Sequence, residues 1–582
     1  MIKRIFTPTL CVLIQVSLFS SIAFSQAATA ASRQPQAAFN QLVDEYFDFY
    51  FQFHPTAGTQ AGLHQYDAKL EDFSRSGIEA EIAGLERFQK QFSSVQSGQL
   101  SQESAGDLAV LISSIQAQLL ELQSIRMWRK DPDVYVSDLS YGIFTIMRRN
   151  FAPAADRLRS LIARERQIPR VLEAARQNIS NPPRVYTEVA LQQMPGNIKF
   201  FQNDVPAAFH EAHDPALLAE FKASNDAAIK ALSQYEDFLR TELLPTSSGD
   251  FRLGAENFRK KLLYDEMVDI PLDRLLEIGY ADLRRNQQRL KEVAAEIDPH
   301  RSTAEVLADL HRDHPPADQL LQTFRDTLGG LRQFIEQHHI ITIPSTVPPI
   351  VEETPPFERA LTTASMDTPG AYETKATEAM FNVTLPSPDW KPEKVEEWMQ
   401  GFNRGTITST AIHEVYPGHY TQFLWLQSAP SKTRKLLYNA SNAEGWAHYT
   451  EQMMLDEGYG NHDRNLRLGQ LLDALLRNAR FIVGIEMHTG SMTLEQGQEF
   501  FVKEGFQVPP VAEVEAKRAT SDPTYLYYNL GKLQILKLRE DYRKLQGSKF
   551  TLQEFHDTFM RQGSVPMKII RKSMLGTDGP TL

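Results

Sequence analysis

Apolar residues recur at helical spacing along most of the chain. Between residues 37 and 53, Phe39, Leu42, Val43, Tyr46, Phe47, Tyr50 and Phe51 fall at steps of three and four, so a 3.6-residue period gathers them on one face until Pro55 ends the run. The same period predicts helices over 78–92, 108–122 and 217–243. The strict alternation of a half-buried strand is nearly absent, so the first 240 residues read as almost entirely helical. The turn-rich stretch Leu-Pro-Thr-Ser-Ser-Gly-Asp at 244–250 marks a soft boundary between an N-terminal helical region (26–250) and a C-terminal one (251–582). From 341 to 370, six prolines (344, 348, 349, 355, 356 and 369) forbid a regular helix. The best strand candidate follows at 378–385, where β-branched and aromatic residues alternate moderately. Helices then resume to the end, and no repeat of 20–50 residues is visible. The expected class is predominantly all-α, a large multi-helix fold with one small β element.

Composition narrows the function. With 42% apolar and 23% charged residues, the chain of 582 can bury a large core. A net charge of −12 without a polybasic run gives phosphate backbones little to bind, so nucleic acid is an unlikely partner. Lys3 and Arg4 precede an apolar stretch at 10–23 that ends in Ala23-Phe24-Ser25, which predicts a signal peptide over 1–25 and a periplasmic or secreted chain. A cut after Ala27 is the alternative. The only cysteine, Cys11, lies in that segment, so the mature chain would have no disulfide and no thiol nucleophile, and a metal site must use His, Asp or Glu. No later run of 18 apolar residues suggests a membrane span once the signal is removed.

The strongest chemical signal is His413-Glu-Val-Tyr-Pro-Gly-His419. In a zinc-peptidase helix the two histidines stand four apart on one face, with an intervening glutamate able to address the metal's water. Six residues of regular helix would turn His419 about 120° away from His413. A distortion is therefore required, and Pro417, which lacks an N–H, together with Gly418 supplies it, as a bulge that returns His419 to the metal. A third ligand follows in Glu444-Gly-Trp-Ala-His448-Tyr-Thr-Glu451, whose Glu444, His448 and Glu451 share a helical face. Glu444 is the preferred ligand, with His448 and Glu451 supporting it or contacting substrate, although either could take the ligand position instead. Two histidines, one glutamate and a water make a catalytic zinc set, one ion per chain.

The two motifs together resemble the bacterial family catalogued as domain of unknown function 885, helical proteins regarded as zinc peptidases and similar in layout to the gluzincins. The resemblance covers most of the mature chain and is densest over 372–539. It implies a metallopeptidase-like fold, with His413, His419 and Glu444 as ligands and Glu414 as general base. Two positions depart from it: Tyr420, where many relatives have a second histidine, and Thr524, where they tend to have Gln. Tyr528, three residues before Gly531 in a segment similar to the family's, is the choice for oxyanion stabilisation, with Tyr525 and Tyr527 as competitors. By analogy with gluzincin clefts, the strand at 380–385 with Asn382 is expected to pair with an extended substrate. Lys532 and Arg539, seven apart, could receive a peptide carboxylate.

Other histidines carry less. His210 and His213 have no third ligand, His338 and His339 point apart, and His311 and His314 sit at a helix end. No phosphate loop, nucleophile elbow or dinucleotide fingerprint is present. The expected activity is a zinc-dependent hydrolase cleaving short peptides. The alternatives are a metal-dependent esterase or amidase, and a non-catalytic periplasmic peptide-binding protein in which Glu414→Gln would be silent.

Overall fold

The computed structural model describes residues 34–582 except 356–358, 360 and 361. The signal peptide expected over 1–25 lies outside the described residues. Helix 34–53 buries Phe39, Tyr46, Phe47 and Phe51 against Phe88 and Phe92 of Arg75–Ser94, with edge-on ring contacts such as Tyr46–Phe88 at 5.5 Å. Ser74 and Ser101 start helices Arg75–Ser94 and Gln102–Leu120, each side chain accepting a backbone N–H three residues on. A second core, including Ile143, Leu158, Leu161, Phe200 and Leu232, is enclosed by Asp133–Arg148, Ala154–Glu165, Ile168–Asn178, Arg184–Lys199 and Pro215–Phe238. The helical stretch Gln102–Lys130 is long and apolar enough to cross a membrane. Its first part, Gln102–Leu120, packs against Arg75–Ser94 on one side and Gly254–Glu266 on the other, the arrangement of a core helix.

The proline-rich stretch contributes two strands that periodicity did not signal. Strands β1 (Ile350–Glu353) and β2 (Ala364–Asp367) flank β3 (Met380–Val383), giving a three-stranded mixed sheet in the order β1-β3-β2. β1 runs parallel to β3 with Val351 opposite Phe381, and β2 runs antiparallel with Met366 opposite Phe381. The expected strand is thus real, but it is central. Both its edges are hydrogen-bonded, so it cannot pair with a substrate backbone, and Asn382 is buried facing Ser365 across the sheet.

Seven C-terminal helices position the candidate site: α1 (Leu272–Ile297), α2 (Arg404–Glu414), α3 (His419–Leu426), α4 (Ala440–Asp456), α5 (Arg464–Thr489), α6 (Pro509–Ser521) and α7 (Tyr527–Gln546). α4 lies along α7, α2 packs on both α4 and α5, and α1 and α6 cover α5. The α4–α7 approach depends on glycine: a Cβ on Gly445 would sit 2.4 Å from Gly531 Cα, and one on Gly531 only 1.9 Å from the Ser441 carbonyl oxygen. The sheet rests on α2 through β2, over a core that includes Phe324, Phe381, Ile412 and Trp446.

Candidate metal centre

The six-residue spacing is resolved by a break rather than a bulge. α2 ends at Glu414, a cis Tyr416–Pro417 peptide turns the chain, and α3 begins at His419. The N–H groups of Val415 and Tyr416 both close on the Ala411 carbonyl, and that of Gly418 bonds Ile412 at 3.0 Å, so the turn folds back on the end of α2. A Cβ at Gly418 would lie 1.7 Å from the His413 carbonyl oxygen, which only glycine avoids. Trp446 Nε1 of α4 donates to the Pro417 carbonyl at 2.9 Å and pins the turn to the helix that carries Glu444. His413, in the last turn of α2, and His419, in the first residue of α3, are thereby brought together with ring centroids 4.8 Å apart.

His413 Nε2 and His419 Nε2 each stand 3.4 Å from the same atom, Glu444 Oε2. One ligand atom from each of the three lies within 4.8 Å of the others. That 3.4 Å is long for a charge-assisted hydrogen bond. It matches the roughly 3.3–3.4 Å edge of a tetrahedron whose ligands are about 2.0–2.1 Å from one zinc ion. Glu444 Oε2 is buried without a hydrogen-bond partner, a costly state for a carboxylate oxygen unless a cation shares the space. The donor types and the two separations to Glu444 therefore fit a metal ion such as zinc. Burial opposes the charge on Glu444, but His419 and His413 hold its carboxyl well below the usual range. At His413 burial is outweighed by Glu444 and Glu451, which push the imidazole up to about 10, so without a metal a proton there fills the same electrostatic role.

Glu451 supports the histidine from behind. Its carboxylate accepts from His413 Nδ1 at 2.7 Å and from His448 Nδ1 at 3.0 Å, and Arg477 Nη2 stands 3.5 Å away. Donation from Nδ1 fixes the tautomer that turns the lone pair of His413 Nε2 towards the ligand cluster. Burial opposes the charge on Glu451, but Arg477, His448 and His413 hold it well below the usual carboxylate range. His448 lies behind Glu451, fully buried, and burial with Lys532 nearby brings its pKa down to about 3. Of the three residues on that face of α4, only Glu444 reaches the two histidines.

A family model described as bacterial protein of unknown function (DUF885) matches residues 55–574. The chain belongs to this family. A Shewanella oneidensis protein of known structure, provisionally described as a lipoprotein of unknown function, aligns with this DUF885 chain at 29% identity and a TM-score of 0.76, over 92% of this chain and 99% of that one. A Colwellia psychrerythraea protein, also provisionally described as a lipoprotein, aligns at 16% identity and a TM-score of 0.78, over 94% and 98%, and shows the shared fold. No curated protein matches the chain significantly. These descriptions establish family and fold and name no reaction.

In this DUF885 chain Glu414 is half-buried beside the cluster. Burial and Glu444 raise its carboxyl above the usual range, against the pull of His413 and His419. Tyr528 stacks on His413 with centroids 6.3 Å apart, and its hydroxyl accepts from Arg518 Nη2 at 3.3 Å. Its two competitors are otherwise engaged or enclosed: Tyr527 donates to Asp522 at 2.8 Å, and Tyr525 is fully buried. Arg539 is not at the centre, because it donates to the Tyr449 hydroxyl at 3.1 Å and Glu457 at 3.2 Å. Lys532 is buried, and burial brings its pKa below the usual value against the opposing pull of Asp282 and Glu451. Neither cation is free to receive a peptide carboxylate. Tyr420 donates to the Val347 carbonyl, and Thr524 lines a cavity of about 470 Å³. Of the other histidines, His338 stacks on Phe334, and His314 Nε2 is hydrogen-bonded to Glu396 at 3.1 Å.

Sequence reasoning missed Arg477, Arg480 and Arg518, whose guanidinium carbons lie 5.8, 4.8 and 5.8 Å from the Tyr528 ring centre. A signal existed: Arg477 and Arg480 are cations one turn apart on a helix whose neighbours, among them Ala474, Leu475, Ala479 and Phe481, are buried and apolar. It also missed Tyr438, which lines the same cavity as Thr524 and is 61% exposed as a residue, while burial of its phenol, and after it Glu444, raises the pKa well above the usual value.

Proposed function

We propose that this chain is an exported, zinc-dependent hydrolase that cleaves short peptides. The observation that carries the reading is the pair of 3.4 Å separations from His413 Nε2 and His419 Nε2 to one orphaned, buried carboxylate oxygen of Glu444, with Glu414 beside them. Zinc, when bound, supplies Lewis-acid polarisation of a carbonyl and lowers the pKa of water towards about 7. His413, His419 and Glu444 would hold it, and Glu451 orients His413. Glu414, with its raised carboxyl pKa, takes the proton of the attacking water and passes it to the leaving nitrogen. In this reading the Tyr528 hydroxyl, whose proton has no acceptor among the described residues, donates to the developing oxyanion, a role supported by its ring lying against His413.

The mostly helical architecture, with a small sheet against the motif helix, supports a metallopeptidase-like reading. Because β3 is central, the open edge for an extended substrate falls to β2, which packs on α2. Export rests on the N-terminal pattern of Lys3, Arg4 and the apolar stretch, and the provisional description of the Shewanella oneidensis relative as a lipoprotein supports it.

The test is hydrolysis of matched peptide and ester panels by the zinc-loaded chain and by Glu414→Gln. Peptide cleavage that falls roughly 10²–10⁴-fold in the variant, with zinc retained, is the expected result. Equal activity of the two proteins would remove Glu414 from the chemistry. Cleavage confined to esters would change the substrate class.

A further inference from the structure

We infer that the site takes peptides by their free C-terminal carboxylate, which Arg518 binds beside Tyr528, so that the chain removes one to three residues from the C-terminus. The inference rests on the peptidase reading and adds the direction from which substrate enters.

Three guanidiniums around one tyrosine are unusual so close to a metal centre, and they differ in what they have left to give. Arg480 is buried and bound at both Nε and Nη2 to Glu515, at 2.7 and 2.6 Å. Arg477 is 12% exposed at its side chain and committed to Asp473 at 3.2 Å and Glu451 at 3.5 Å. Arg518 is different. It sits in the last turn of α6 with its side chain 35% exposed, more than Arg477, and its bonds to Asp522 are longer than those of Arg480, 3.2 Å from Nε and 3.0 Å from Nη2. Its Nη2 also donates to the Tyr527 and Tyr528 hydroxyls, each at 3.3 Å, while among the described residues its Nη1 makes no hydrogen bond, leaving that nitrogen's donors for a charge-assisted bond to an anion.

Distance sets the number of residues beyond the scissile bond. Arg518 Nη2 is 3.3 Å from the Tyr528 hydroxyl. An oxyanion on Tyr528 and a carboxylate on Arg518 Nη1, each one hydrogen bond further out, are separated by at most about 11 Å. Extended peptide advances about 3.3–3.6 Å per residue, so that span holds about one to three residues. Their side chains have a place to go: the cavity of about 470 Å³ is lined by Tyr438, Asp522, Thr524 and Tyr527, and so adjoins the Arg518 partners. The same cavity ends against α4 at Asn439 and Ala440, one turn before Glu444.

The test compares an N-acetylated pentapeptide with its C-terminal amide on the zinc-loaded full chain, with products read by mass spectrometry. The free acid is expected to have at least a tenfold higher kcat/KM and to release fragments of one to three residues from its C-terminus, and Arg518→Gln is expected to bring the acid-to-amide ratio close to one. A binding measurement needs no catalysis: the metal-free chain should bind an N-acetylated dipeptide acid at least tenfold more tightly than its amide. Acid and amide cleaved equally at internal bonds would overturn the inference and leave the peptidase reading intact. Tighter binding of the acid without cleavage of either peptide would keep the carboxylate site and end the peptidase reading. Failure of both discriminations removes the carboxylate site. The acid–amide comparison on the unmodified chain decides these outcomes even if Arg518→Gln does not fold.

Discussion

The interior around helix 34–53 and the interior around α4 are both fully buried, yet they are built from opposite materials. The first is aromatic and aliphatic, with Phe39, Tyr46, Phe47, Phe88 and Phe92 packed edge to face. The second buries His413, His448, Glu451, Asn478, Arg480, Asn529 and Lys532 among the apolar residues of the same helices. Hydrophobic burial holds the first together, at roughly 25 cal/mol per Å² of apolar surface. The second costs desolvation at each charge, and pairing offsets only part of it, as the orphaned atoms Glu444 Oε2, His419 Nδ1 and His448 Nε2 show. One interior supplies stability, and the other retains groups that a stable core would exclude.

The largest effect that would break this contrast belongs to the aromatic interior. Phe92→Ala should cost about 3–5 kcal/mol in urea unfolding, because Phe92 is wholly enclosed among Phe39, Tyr46 and Phe88. A loss below about 1 kcal/mol would mean that this core is not what supports the N-terminal helices. In the polar interior, Glu451→Gln should leave the ligand atoms in place yet weaken zinc binding about 10–100-fold in a chelator competition, since it removes the charged acceptor behind His413. An unchanged affinity would reduce Glu451 to a packing residue.

A buried charge in the N-terminal half sharpens the comparison by pH. Burial pushes the Glu165 carboxyl up to about 8, against the hydrogen bond from Ser224, so the folded chain holds a proton there that the unfolded chain releases near 4.5. The stability this group contributes is fully present below about pH 4.5 and falls as pH rises towards 8, by at most about 1.4 kcal/mol per pH unit. Glu165→Gln should flatten that part of the urea-midpoint profile, and an unchanged slope would place the titration elsewhere. The smallest effect is at a helix start, where Ser101→Ala removes the acceptor for the Ser104 N–H and should cost about 1 kcal/mol.

The two interiors also differ in how far they can be read from the residues alone. The stripe at 37–53 is a local pattern, and the helix forms where the period places it. His413, Glu414, His419 and Glu444 stand out because metal-ligating residue types at unusual spacing are rare, although spacing alone suggested a bulged helix where the chain makes a clean turn at Pro417. Glu451 shared a face with Glu444, but its role behind His413 depends on how α2 meets α4. β1 and β2 were illegible, because four-residue strands in a proline-rich stretch take their conformation from pairing with β3 rather than from their own pattern. Arg539 misled as an isolated cation on a helix face, since its partners Tyr449 and Glu457 lie about 80–90 positions earlier in sequence. The arginines around Tyr528 come from α5 and α6 and meet only in the folded chain.

The most direct test of the central claim is the zinc content of the purified chain, beside Glu444→Ala, His419→Ala and Glu414→Gln, after incubation with zinc and gel filtration. The account expects about one zinc per chain in the unmodified protein and in Glu414→Gln, and little or none in the other two. An unmodified chain without zinc, or a Glu444→Ala protein that keeps it, would contradict the assignment of His413, His419 and Glu444 as a metal centre.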